Sequence, residues 1–338
     1  MIDRRRSRVC VLSGTLSALA LLLAGCPQSL PGTSTPAIHS LAFSPTGEMV
    51  AGDAGGVLKF LDSNARVMRQ VKAHLGAARS VAFNSSGEKA VSVGDDGKTM
   101  IFNRSGGVLV DKTVSGMPLK TVAFQPGTSG DTERLATGGA DGAVRLLNGA
   151  DGNLVGQTLR GHVGAVNALA FGPAGTPVAG VIITTGADGT LKAFLADGSS
   201  SAPLFSQNAH GQAGNSVTFS ADGSLCPTAS DDGDVKVWPA AQAGMPDWMP
   251  IFVLPVGSPV LAVAFNPDGT IIGTASADGA GRLWSASDGH LLHVLSGQHT
   301  GAVTAIAFNP TAGSRVVVTA GEDGRIVRWD IDTGEVIR

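Results

Sequence analysis

The chain has 338 residues and a net charge of −3; 47 residues are Gly, 15% are charged and none is Tyr. Against usual shares of about 25% charged and about 7% Gly, this is a collapsing chain with many turns, which excludes wholesale disorder. The glycines follow no three-residue period, which excludes a collagen-like rod, and at about 100–200 residues per domain the length allows one large or two ordinary domains.

The chain opens on a basic head, Arg4, Arg5, Arg6 and Arg8, followed by an uncharged run from Val9 to Gly25. This is the pattern of a secretory signal, and the run is at the lower limit for a membrane-spanning helix. It ends in Leu23-Ala24-Gly25-Cys26, which closely resembles the bacterial lipoprotein signal. That resemblance implies cleavage after residue 25 and a lipid on Cys26. The chain would then be exported and anchored to a bacterial envelope membrane, on its periplasmic or cell-surface side. More than one acyl chain is needed for stable anchoring.

Residues 1–25 carry four Arg and one Asp, so their removal takes the net charge from −3 to −6. A negative body lacks the clustered Lys/Arg that track phosphate backbones, so no nucleic-acid partner is expected. The cysteines stand at 10, 26 and 226; with Cys10 removed and Cys26 acylated, as the resemblance implies, Cys226 has no partner, and no internal disulfide or Cys-based metal site is expected. Residues 26–37 contain three Pro and no charge and read as a lipidated Cys with a flexible tether.

From residue 38 a phrase ending in Phe recurs seven times, at Phe43, Phe83, Phe124, Phe171, Phe219, Phe265 and Phe308. The intervals run from 40 to 48 residues, and the copies fill residues 38–338 without room for a second domain. After each Phe come a turn, a short apolar strand, an Asp-Gly turn and another strand. The Asp column is Asp96, Asp141, Asp188, Asp232, Asp278 and Asp323. Asp-Gly between β-formers signals a hairpin, because that turn needs positive φ. Six residues on stands a bulky apolar residue each time: Phe102, Leu147, Phe194, Trp238, Trp284 and Trp329. Helical periodicity is missing. A four-stranded repeat of this length fits a propeller blade better than a sandwich.

The copies resemble the WD-repeat family. The last one is nearest to its pattern, with His299, Thr319-Ala320-Gly321-Glu322-Asp323-Gly324 and Arg328-Trp329-Asp330. The resemblance implies an all-β, seven-bladed propeller of four-stranded blades. It also implies buried hydrogen-bond sets running from indole to hydroxyl to imidazole to carboxylate. The matching sets are His210/Thr228/Asp232/Trp238 and His299/Thr319/Asp323/Trp329. His74/Ser92/Asp96 and His162/Thr184/Asp188 carry Phe in place of Trp. The third and sixth copies have Ser115 and Val256 at the His position, the sixth keeping Thr274, Asp278 and Trp284. The first copy has none of the four residues.

One Ser/Thr–His–Asp set per copy is structural logic; a hydrolytic triad would occur once, beside an oxyanion hole. His290 and His293 lie three apart on an expected strand and point to opposite faces, so they are not a metal pair. No catalytic residue, cofactor or metal is expected. Candidate contacts for a protein partner are Arg79, Met117, Lys120, Asn167, Asn215, Asp231 and Glu322 on the face of the Asp-Gly turns. Met245, Trp248 and Met249, in a long loop, would sit on the opposite face. The favoured function is a non-catalytic protein-interaction scaffold, lipid-anchored in the envelope; the alternative is an envelope enzyme or small-ligand binder using the channel mouth. Glu335-Val336-Ile337-Arg338 is expected to complete its own blade.

Overall fold

The computed structural model describes residues 35–240 and 248–337. The signal segment, Cys26, most of the tether and Met245 lie outside the described residues. Seven antiparallel sheets follow one another along the chain, each with strands in sequence order. Blade 1 comprises Ile38–Phe43, Met49–Asp53, Val57–Leu61 and Val67–Lys72; blade 2, Ala78–Phe83, Lys89–Gly94, Lys98–Asn103 and Val108–Thr113. Blade 3 comprises Leu119–Phe124, Arg134–Gly139, Ala143–Asn148 and Leu159–Arg160; blade 4, Val166–Phe171, Val181–Gly186, Thr190–Leu195 and Phe205–Asn208. Blade 5 comprises Gly214–Val217, Leu225–Ser230, Asp234–Pro239 and Phe252–Pro255; blade 6, Val260–Phe265, Ile271–Ser276, Gly281–Ser285 and Leu291–Leu295. Blade 7 has Val303–Phe308, Val316–Gly321 and Ile326–Asp330, with Val336 bridging Trp329 in the outer position. The protein is an all-β, seven-bladed propeller.

The first strand of each blade is innermost and touches the first strands of both neighbours, which closes the ring. Second strands are buried along almost their whole length, as in Met49–Asp53 and Lys89–Gly94. They are sandwiched between adjacent blades, so their sequences read as continuous small and apolar runs rather than alternating ones. The core is a series of seams. Ala136, Val144 and Leu146 of blade 3 pack with Leu169, Ile182 and Phe194 of blade 4, for example. Fully burying a side chain such as Phe102 or Phe194 contributes about 2 kcal/mol.

Blade 1 forms without the indole–hydroxyl–imidazole–carboxylate set. Asp53 substitutes locally, its Oδ1 accepting from the Val57 amide at 2.9 Å and its Oδ2 lying 3.6 Å from Lys59 Nζ. A further buried anchor joins blades 2 and 3. Glu133 accepts from Lys89 Nζ at 2.6 Å and from Asn84 Nδ2 at 2.7 Å.

The ring closes between blades 7 and 1 without a shared strand. Ile38, Leu41 and Met49 pack against Ala305, Val318 and Ala320. The Thr304 hydroxyl donates to the Ile38 carbonyl, and the Thr35 hydroxyl donates to the Asp323 carbonyl at 2.7 Å. The C-terminal residues complete blade 7 themselves, through Asp330 N–H to Glu335 O and Ile337 N–H to Arg328 O, both 2.9 Å.

Candidate functional site: the Asp-Gly face and the channel mouth

In four blades the imidazole bridges a hydroxyl and a carboxylate. His74 lies 2.8 Å from Ser92 Oγ and 2.9 Å from Asp96; His162 lies 2.7 Å from Thr184 Oγ1 and 2.9 Å from Asp188. His210 lies 2.8 Å from Thr228 Oγ1 and 2.9 Å from Asp232; His299 lies 2.8 Å from Thr319 Oγ1 and 3.1 Å from Asp323. Where Trp is present its indole N–H donates to the same hydroxyl: Trp238 to Thr228 at 2.9 Å, Trp284 to Thr274 at 3.0 Å and Trp329 to Thr319 at 2.8 Å.

The carboxylates also cap the loop leading into the blade. The Leu75 amide donates to Asp96 at 3.1 Å and the Val163 amide to Asp188 at 2.9 Å. Burial opposes ionisation of Asp188, but the Val163 amide, His162 and Thr190 outweigh it and hold its pKa at about 2. Burial, partly offset by the facing carboxylates, holds the His162 and His210 imidazoles below their ordinary value. Each hydroxyl is occupied by its imidazole or indole and none faces an open cleft. These groups rigidify their blades.

Blades 3 and 6, which lack the His, solve the problem differently. An Arg four residues after the Asp takes the carboxylate: Arg145 reaches Asp141 at 2.5 Å and Arg282 reaches Asp278 at 2.6 Å. The signal was available in the sequence, since both His-less copies have Arg there and no complete copy does. Blade 3 also has Leu147 where an indole would stand, and Thr137 Oγ1 is buried with no hydrogen-bond partner among the described residues.

Each inner strand slips register at one residue near the channel mouth: His39, Arg79, Lys120, Asn167, Asn215, Leu261 and Thr304. A bulge re-aims its side chain, and all seven line a cavity of about 210 Å³ at the mouth. Sequence reasoning singled out Arg79, Lys120, Asn167 and Asn215 but missed His39, Leu261 and Thr304. All seven stand four residues before the repeating Phe.

Three of the seven collar residues, Asn167, Asn215 and Thr304, bond across to the next blade. Asn167 Nδ2 donates to Gly214 O at 3.0 Å, and Asn215 Nδ2 donates to Val260 O at 3.1 Å and Asp231 Oδ1 at 2.6 Å. Arg79 forks onto Asp95 at 2.8 and 2.7 Å, and that pairing, against some burial, holds the Asp95 carboxyl below its usual range. Burial and then the Arg79 charge hold His39 below its ordinary value. Glu322 accepts from the Ala302 amide at 3.3 Å. Lys120 has no salt bridge among the described residues. Asn167 and Asn215 are therefore inter-blade stitches in this structure, and Asp231 holds Asn215 from within blade 5.

Trp248 also differs from expectation. It is 4% exposed, packs on Trp238 and Phe205, and donates its indole N–H to Pro239 O at 2.9 Å. An indole placed in the blade 4/blade 5 seam cannot serve as an exposed anchor. Its neighbour Met249 is 67% exposed.

Six segments match the family described as WD domain, G-beta repeat: residues 24–62, 65–103, 154–194, 201–239, 248–285 and 289–330. The chain belongs to the WD-repeat family. The WD-repeat matches skip residues 104–153, where the structure nevertheless forms most of blade 3. Apoptotic protease-activating factor 1 of Rattus norvegicus is 24% identical over 93% of this chain and 21% of its own length. WD repeat-containing protein 1 of Gallus gallus is 23% identical over 87% of this chain and 48% of its own. WD repeat-containing protein SL1-17 of Schistosoma mansoni is 30% identical over 53% of this chain and 56% of its own. This chain spans between about a fifth and just over half of the length of these relatives. WD-repeat propellers generally act as protein-interaction scaffolds.

Proposed function

We propose that this chain is a non-catalytic protein-interaction scaffold, lipid-anchored through Cys26 in a bacterial cell envelope. The observation that carries the scaffold reading is where the polar and apolar groups stand. The Ser/Thr, His and Asp columns are spent inside blades, whereas the outer strands of blades 5 and 6 expose Ile251, Val253, Leu291, Leu292 and Val294 beside Met249. The turn leading into the blade 6 outer strand reaches the blade 5 one, since Gly289 lies against Phe252 and Leu254. Exposed apolar side chains in such number mark an interaction site. A protein partner is the occupant, and Met249 is the contact residue retained from the long loop.

The scaffold reading is tested by Val253→Glu and Leu292→Glu in the full chain. Loss of a partner recovered with the wild type, at unchanged Tm, supports the rim as the contact. Unchanged recovery with both variants removes it. The anchoring reading is tested by labelled palmitate, which should be incorporated by the wild type and not by Cys26→Ala. Incorporation that survives Cys26→Ala refutes it.

A further inference from the structure

On the Asp-Gly face the loops entering blades 2, 3 and 4 end in exposed apolar side chains. Leu75 is 86% exposed, Met117 50% and Val163 81%. The loops entering blades 5, 6 and 7 carry Gln212, Ser258 and Thr300 instead. The fold does not require the apolar choice. The Leu75 and Val163 amides cap Asp96 and Asp188, and the Gly211 and Thr300 amides do the same for Asp232 and Asp323 at 3.3 and 3.1 Å. Gly and Thr serve the blade equally well, so Leu and Val answer to something outside it.

The chain enters the ring on this same face. Thr35 and Ala37 are tied there to the turns of blades 7 and 1, through Asp323 O and the Ala54 amide. Nine peptide links join Cys26 to Thr35, a reach of about 30 Å at full extension.

We propose that the Asp-Gly face lies on the lipid bilayer, with Leu75, Met117 and Val163 seated at the headgroup–acyl boundary. This rests on the anchoring of Cys26 proposed above. Three single side chains bind a bilayer weakly by themselves. A short tether keeps them at high local concentration beside the membrane, which converts a weak contact into a persistent one. Lys120, at the channel mouth and without a salt bridge among the described residues, faces the headgroups, where anionic lipid attracts a cation. The protein-binding rim of blades 5 and 6 is left free.

The test uses the full, processed chain in vesicles of phosphatidylethanolamine and phosphatidylglycerol. Leu75→Cys, Val163→Cys, Gln212→Cys and Thr300→Cys are each labelled with the environment-sensitive dye NBD. Cys226 does not compete, because it is buried and burial pushes its thiol far up. The expected result is a blue shift and quenching by spin-labelled lipid at 75 and 163, with water-like emission at 212 and 300. Water-like emission at all four sites, in a chain that floats with the vesicles, overturns the orientation while leaving the anchor intact. A chain that does not float loses the anchor and the orientation together. A photo-crosslinker at Leu75 that joins a polypeptide rather than lipid in intact cells assigns the arc to protein docking and overturns the proposal.

Discussion

The Trp248 ring stands 4.9 Å from that of Trp238, with their planes at 42°, so an indole of the repeat and one of the following aperiodic loop form one packed pair. Trp238 is itself held by Thr228, which places Trp248 against the end of a hydrogen-bond set. Trp248→Ala is therefore expected to cost about 3–5 kcal/mol, read as a fall in denaturation midpoint. A stability change within experimental error would return Trp248 to the surface.

Thr228 and Thr137 occupy the same column but differ in their surroundings. Thr228 Oγ1 serves His210 and Trp238, whereas Thr137 Oγ1 has no partner among the described residues. Thr228→Val should cost about 2–4 kcal/mol, because two buried groups lose their partner. Thr137→Val should be neutral or stabilising by up to about 1 kcal/mol, since it removes an unsatisfied hydroxyl. Urea unfolding of the two variants checks the contrast, which fails if both are equally destabilised.

Acid should weaken the propeller in two stages. The folded-state pKa values of His162 and His210 are depressed, so the unfolded chain takes protons first as pH falls through the ordinary value of 6.5. Stability is therefore full above that value and declines as pH drops toward the folded pKa values. Asp188 adds a second loss, beginning near its unfolded value of 3.8 and ending near 2. Thermal melts should show Tm falling below about pH 6.5, and His162→Gln together with His210→Gln should flatten that first stage. An unchanged slope in the double variant would refute the assignment.

Arg282 stands in for the missing His of blade 6. Arg282→Met should cost about 1 kcal/mol, since the pair with Asp278 is partly exposed. Val256→His in that background should recover most of the loss by rebuilding the bridge between Thr274 and Asp278. If the second substitution lowers the midpoint further, the two solutions are not interchangeable.

Gly97 sits at φ 71°, and an added Cβ would meet the Ser115 carbonyl oxygen at 2.1 Å. Gly97→Ala should cost more than about 1 kcal/mol. Gly116→Ala, where nothing stands within 4 Å, should be close to neutral. Equal midpoints for the two variants would contradict the turn geometry.

Much of the fold was legible because the interval from Asp to Trp or Phe is constant, and a constant interval is what a hairpin imposes. The His, Ser/Thr and Asp columns were legible for the same reason. The collar was half-legible. Its column stands at a fixed distance from Phe, yet it takes a register slip to turn Asn167 and Asn215 onto a neighbouring backbone, and spacing does not reveal a slip. Arg145 and Arg282 were passed over because compensation moved to another column. Trp248 lies in an aperiodic loop, where nothing local distinguishes a seam-filling indole from an exposed one. Leu75 and Val163 look like any core residue until their exposure is known.

The joint between blades 7 and 1 also bears on mechanics. Inside each blade, strands are laced by ladders of main-chain bonds; at this joint, among the described residues, side-chain contacts and two threonine hydroxyls span the gap. Thr35 is where any pull on the N-terminal segment reaches the ring. Tension would thus be delivered to the one joint between described blades that the polypeptide does not itself cross, and blade 1 would peel away first. The propeller is built as a clasp whose catch lies beside the point where its N-terminal segment joins the ring.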